Sequence, residues 1–207
     1  MWDVFHAMPL HEFLAFVGAG LILNLAPGPD VLFATASGLQ GGPRVGAAAG
    51  LGVAGGVVWH VGLAALGLSA LIAALPQALV AIRWAGAAYL LFLAWKSWNA
   101  GAAPAARGAV TPGRAFLRGA LTNLLNPKPI LFLLAFLPQF VRPGYGPAWQ
   151  QIVVLGGAFA LTGAVVTAGY GLAAGLAGRA IGARMGWLNR IAAVMFAGLA
   201  LRMVATR

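Results

Sequence analysis

Asn24-Leu25-Ala26-Pro27-Gly28-Pro29-Asp30-Val31-Leu32-Phe33 and Asn123-Leu124-Leu125-Asn126-Pro127-Lys128-Pro129-Ile130-Leu131-Phe132 are two versions of one stretch. Each carries a Pro-x-Pro inside an apolar run of membrane-spanning length, and each opens on asparagine. Proline removes a backbone donor and clashes with the carbonyl one turn back, so a helix does not run through it undisturbed. Pro27, Gly28 and Pro29 in one copy, and Pro127 and Pro129 in the other, are therefore expected to break two helices at corresponding places. Interrupted helices in corresponding positions of two halves point to a transporter's binding site. The copies differ in charge. Asp30 is the one carboxylate deep in an apolar run, and Lys128 is its opposite number.

Working outward, apolar runs span 13–39, 46–75, 78–95, 116–141, 152–176 and 187–204. Each approaches or exceeds the ~20 residues that cross ~30 Å of hydrocarbon. Of 207 residues, 61% are hydrophobic and only 8% charged, against about 25% charged in a soluble domain. The chain reads as an integral membrane protein. The Ala-, Gly- and Pro-rich segment 100–113 separates three runs from three. An odd number of spans per half sends the second half in from the opposite side, so the repeat is expected to be inverted. The expected fold is an all-α membrane protein of six transmembrane helices. They form two inverted three-helix repeats, with Pro-broken helices 1 and 4. It is one domain over 1–207, with repeat 1 over about 1–99, a linker at 100–113 and repeat 2 over about 114–207. Arg83, near the start of the third run, reads as snorkelling to the interface.

The formal charge of +10 does not indicate nucleic acid. Its Lys and Arg residues are scattered at helix ends, where they set topology. With both termini outside, the inner loops hold Arg44, Lys96, Arg107, Arg114, Arg118, Arg179, Arg184 and Arg190. The outer side holds Arg83, Arg142, Arg202 and Arg207, so the positive-inside rule favours that orientation. The N-terminus has Asp3 and no basic residue before the first run, which argues against a cleaved signal peptide. There is no cysteine, hence no disulfide or thiolate metal site.

Glycine recurs every four residues at Gly38, Gly42, Gly46 and Gly50, and again at Gly52 and Gly56, Gly171 and Gly175, and Gly178, Gly182 and Gly186. That spacing lets helix backbones approach closely in lipid. Tight intramolecular packing accounts for most of it, and a homodimer is the sharper expectation. Trp2, Trp84, Trp95, Trp98, Trp149 and Trp187 fall near helix ends, as an interfacial aromatic belt does.

The chemistry concentrates at the breaks. An acid at a helix centre costs roughly 2.5–3.5 kcal/mol on insertion scales and faces a cavity or a partner. Asp30 can bind a substrate ammonium, carry a proton, or simply pair with Lys128 or cap a helix. Lys128 has three donors for a carboxylate, helped by the helix N-terminus that the break creates. A zwitterion would split the Asp30–Lys128 pair. Asn24, Asn123 and Asn126 flank the breaks, where they re-satisfy freed backbone, bind substrate, or both. Thr35, Ser37 and Thr122 are minor candidates, since such hydroxyls commonly bond their own helix. His60 can relay a proton or serve as an interhelical donor. Gln139, beside Pro138, caps a helix end or lines a vestibule. His6, His11 and Glu12 do not share a helix face, so no metal site is expected, and no cofactor either.

Pro27-Gly28-Pro29-Asp30 followed by the glycines from Gly38 to Gly56 resembles the first-half signature of the LysE/RhtB superfamily of amino-acid exporters. Asn126-Pro127-Lys128, Leu131-Phe132 and Leu137-Pro138-Gln139-Phe140 resemble its second, and Ala64-Ala65-Leu66-Gly67-Leu68 after His60 is similar too. The resemblance implies efflux of amino acids or related small metabolites across a bacterial inner membrane, driven by protons. That family often has Asn where this chain has Asp30, which leaves Asp30 a role in tuning substrate choice. The alternatives are an exporter of another solute and an assembly subunit without transport. One acid, one lysine and one central histidine do not build an intramembrane enzyme site, and no phosphate-cradling loop is present.

Overall fold

The computed structural model describes residues 4, 7–74, 78–100, 108–177 and 185–205. From Leu10 onward, every regular element among them is helical. The α-helices are α1 Leu10–Leu25, α2 Pro29–Gly41, α3 Pro43–Ala74, α4 Ala78–Trp98, α5 Pro112–Leu124, α6 Pro127–Phe136, α7 Ala148–Ala177 and α8 Met185–Ala205, with short 3-10 turns at Leu137–Phe140 and Pro143–Tyr145. Trp2, His6, Arg107, Gly178, Arg179, Gly182, Arg184 and Arg207 lie outside the described residues.

The expected breaks are where the prolines put them. Helix α1 stops at Leu25 because Ala26, next to Pro27, is extended (φ −64°, ψ 119°). Helix α2 restarts with Pro29 in its first position, where the missing N–H costs nothing. Helix α6 restarts the same way at Pro127, capped by Asn126, whose side chain accepts the Lys128 N–H. The pairs α1–α2 and α5–α6 bend by 55° and 50° at these points.

The copies also slip by one residue. The first break is Ala26–Gly28 and the second only Leu125–Asn126, between helices that end at Leu25 and Leu124. Before the breaks, Asn24 therefore corresponds to Asn123. After them, Pro29 corresponds to Pro127, and Asp30 to Lys128. Acid and base occupy the same place, second in their half-helices.

Among the described residues, three helices are long and apolar enough to cross a membrane alone, within Pro43–Leu71, Ala148–Ala177 and Trp187–Ala205, and up to five spans result if each bent pair counts as one. Six were expected. Helix α4, the third run expected from the sequence, is not counted among the five. The outer surface is nonetheless apolar: Leu66 is 77% exposed, Leu125 83% and Leu176 71%. Such a skin suits lipid rather than water.

Glycine sets the central packing. Helices α3 and α7 cross backbone on backbone, and a Cβ on either Gly46 or Gly171 would lie 2.2 Å from the other's carbonyl oxygen. Gly50 abuts Ala168, Gly52 abuts Phe116, and Gly119 abuts Ala49, which seats α5 on α3. These glycines are consumed inside the protomer. Helices α4 and α8 form a second pair. Arg83, expected to snorkel, has partners at the end of another helix. It donates to the Met203 and Val204 carbonyls and so closes the C-terminal end of α8. One large apolar core holds Phe16, Phe132, Phe136, Phe140 and Phe159; a smaller one holds Phe33, Ala34, Val45, Ala49 and Ala115. Trp84, Trp95, Trp98, Trp149 and Trp187 are all exposed.

Candidate functional site

Breaking a helix frees carbonyls that must find donors. Four residues after Leu23 stands Pro27, which has no N–H to give. Lys128 supplies the donor from the other half. Its Nζ lies 2.8 Å from both the Leu23 and the Ala26 oxygens. Asn123 faces the same loss, since Pro127 is four residues on. Its carbonyl accepts the Asn126 N–H at 2.9 Å and the His60 Nε2 at 3.1 Å. Because a carbonyl only accepts, Nε2 carries the His60 proton there.

Asp30 reciprocates. Its Oδ2 accepts from Asn123 Nδ2 at 2.9 Å and from Asn126 Nδ2 at 2.8 Å. It sits in the first turn of α2, where the helix dipole favours an anion. Lys128 sits in the first turn of α6, where the dipole disfavours a cation. It reaches instead to the carbonyl end of α1, and its Nζ lies 5.7 Å over the Phe196 ring. The direct Asp30–Lys128 ion pair weighed from sequence is not formed among the described residues. The two groups are crosswise locks, each closing the other half's break.

They share one small cavity of about 20 Å³, walled also by Asn24, Gly28, Asn123, Asn126 and Thr167. That is room for about one water. Asp30 Oδ1 and Asn123 Oδ1 are buried there without a hydrogen-bond partner. An orphaned buried acceptor costs roughly 1–3 kcal/mol, so this wall lacks donors. Lys128 spends two of its three donors on carbonyls, which leaves one. The arrangement can accept hydrogen bonds on one side and donate one on the other.

The remaining candidates are less central. Asn24 turns from its own break to α7, donating to the Phe159 carbonyl and to Thr162 Oγ1. His60 is buried with Nδ1 unpartnered, one residue removed from Asp30 through Asn123. Ser37 accepts the Ala109 N–H, Thr122 donates to Arg118 on its own helix, and Thr35 is buried without a partner. Gln139, in the 3-10 turn after α6, donates to the Ala135 carbonyl four residues back and also lines a second cavity. Among the described residues no group of His, Asp or Glu could hold a metal.

Thr167 and Phe136 were not singled out from sequence, and Phe132 and Phe140 entered only as parts of the repeat and the family resemblance. The four-residue spacing of the phenylalanines was visible; its meaning depended on what lay at each end. Gln151 was missed as well. It is fully buried and pins the loop after α6 through Arg142 and Gly146.

Two interrupted helices that exchange an acid and a base across a buried polar cavity define a membrane-transport architecture. The chain belongs to the LysE type translocator family, whose pattern it matches over residues 21–207. It is a multi-pass membrane protein of a family of transporters. It is 32% identical to an uncharacterized membrane protein of Vibrio cholerae serotype O1, over 97% of this chain and 100% of the relative. It is 34% identical to the homoserine/homoserine lactone efflux protein of Salmonella typhi, over 79% of this chain and 80% of that one. The threonine efflux protein of Escherichia coli K12 is 26% identical over 94% and 98%. No solved structure matches the chain.

Proposed function

We propose that this chain exports small zwitterionic amino acids or closely related metabolites across the bacterial inner membrane, coupled to protons. Its architecture is six spans in two inverted three-helix repeats, with α4 as the third span and both termini outside. The observation that carries the reading is the unequal polarity of one cavity. Asp30 Oδ1 and Asn123 Oδ1 lack donors, and Lys128 keeps a donor to spare. An ammonium meets the first need and a carboxylate the second. Named relatives are efflux proteins for homoserine, homoserine lactone and threonine, which are small and polar.

The mechanism follows from the crosswise locks. At about 20 Å³ the cavity is too small for an amino acid. Binding must draw Lys128 off the Leu23 and Ala26 carbonyls and turn Asp30 toward the ammonium. Each move releases a contact between the two halves, so occupancy loosens the interface that holds them in register. Protonation of Asp30 would discharge the ammonium, and His60 stands behind Asn123 to pass the proton.

Counterflow of labelled amino acids in proteoliposomes tests this. Accelerated exchange of threonine or homoserine, steepened by an imposed pH gradient, is the expected result. Equal rates without a gradient would remove the proton; no acceleration for any amino acid would point to another solute or to an assembly role.

A further inference from the structure

A cavity of about 520 Å³ opens at the far end of α6, lined by His11, Glu12, Arg83, Gln139, Arg142 and Arg202, and floored by Phe136 and Phe140. Its charge is mixed, with three arginines against one carboxylate. Glu12 Oε2 is buried and lacks a hydrogen-bond partner, while Oε1 lies 3.5 Å from the Tyr145 hydroxyl. Arg83 is committed to the end of α8. Arg142 is not held through its guanidinium in the same way. Its backbone is clamped by the buried Gln151, whose Nε2 donates to the Arg142 carbonyl at 2.8 Å and whose Oε1 accepts its N–H at 3.0 Å. The clamp aims an exposed guanidinium at the cavity from a rigid base.

The two cavities lie along one helix. Lys128 and Pro129 line the central one, and Phe136 lines the outer one on the same helix. Phe132, Phe136 and Phe140 stack between them at one-turn spacing, with centroids 5.0 Å and 5.2 Å apart and Phe16 against all three. Eight helical residues separate Lys128 from Phe136, about 12 Å at 1.5 Å per residue.

We infer that the outer cavity is a second station for the exported solute, on the exit side of the phenylalanine stair. It takes a small zwitterion, with the carboxylate on Arg142 and the ammonium on Glu12. A guanidinium presents paired donors to a carboxylate. Glu12 has an oxygen short of a donor, as Asp30 does. The station repeats the acid-and-base logic of the central site in roomier, wetter surroundings, which suits release. This rests on the export reading above.

Saturation binding of labelled L-threonine and L-homoserine to the full chain in phosphatidylcholine nanodiscs tests it, with counterflow measured on the same preparations. The native protein should bind two per chain, and Arg142→Ala, Glu12→Gln and Asp30→Asn one each. Homoserine lactone, which has no carboxylate, should not compete at the Arg142-dependent site. A single native site unmoved by Arg142→Ala, with counterflow intact, overturns the station alone. No binding and no counterflow overturns the station and the export reading together. If phosphatidylglycerol in the nanodisc abolishes the Arg142-dependent site, the occupant is an anionic lipid head group and the station is again overturned.

Discussion

Lys128 does structural and chemical work with one ammonium group. It satisfies two carbonyls that Pro27 and the bend leave exposed, so its removal should cost stability as well as transport. Lys128→Met, similar in length but without donors, leaves both carbonyls bare. Its thermal unfolding midpoint in detergent should fall, by a loss of about 2–4 kcal/mol at roughly 1–3 kcal/mol per orphaned group, partly offset by relaxation. An unchanged midpoint would show that water replaces the lysine. Asn126 has two duties, capping α6 and donating to Asp30. Asn126→Ala should lose about 1 kcal/mol of stability for the cap and slow export about tenfold or more, the scale of a hydrogen bond to a charged group. Asp30 and Lys128 were legible in the sequence as candidates, because lone charges in apolar runs announce themselves. Their partners were not. Lys128 pairs with carbonyls more than a hundred positions away, and only packing brings those within reach.

At the scale of elements, the prolines predicted both breaks. The one-residue difference between them was hidden, because the quoted copies align end to end without a gap, an alignment that sets no proline opposite a proline. The glycine series was legible as close packing, and the structure shows which glycines meet backbone. Gly46→Ala would set a Cβ 2.2 Å from the Gly171 oxygen. It should destabilise the fold by about 2 kcal/mol or more, as overpacking does. Gly157 has open space around it in α7, so Gly157→Ala should be neutral or stabilising by up to about 1 kcal/mol. Thermal unfolding of the two variants side by side separates packing from propensity; equal effects would deny the α3–α7 crossing. The stair makes a different prediction. If Phe136 seals the central cavity from the outer one, Phe136→Ala should raise passive leak of threonine from proteoliposomes without exchange partner, while the native protein stays tight.

For the whole molecule, Arg83 and α4 mark the limit of reading by composition. The sequence reads Arg83 as an interfacial anchor, and nothing in it reveals that α8 ends beside it. Helix α4 packs along α8, a pairing its composition does not reveal. The proposed inverted topology is open to a direct check. The chain has no cysteine, so single cysteines report without background. Gly144 and Gly113 are exposed with no atom within 4 Å of a Cβ. Gly144→Cys should label with a membrane-impermeant maleimide in intact cells, and Gly113→Cys only after lysis. The reverse pattern would invert the orientation.

The central claim is that acid and base from the two breaks act together on one zwitterion. Counterflow of labelled L-threonine and L-homoserine in proteoliposomes tests it most directly, comparing native protein with Asp30→Asn and Lys128→Met at equal reconstituted amounts. The account predicts exchange near the protein-free background in both variants, with native exchange well above it. Native-like exchange in either variant would contradict it.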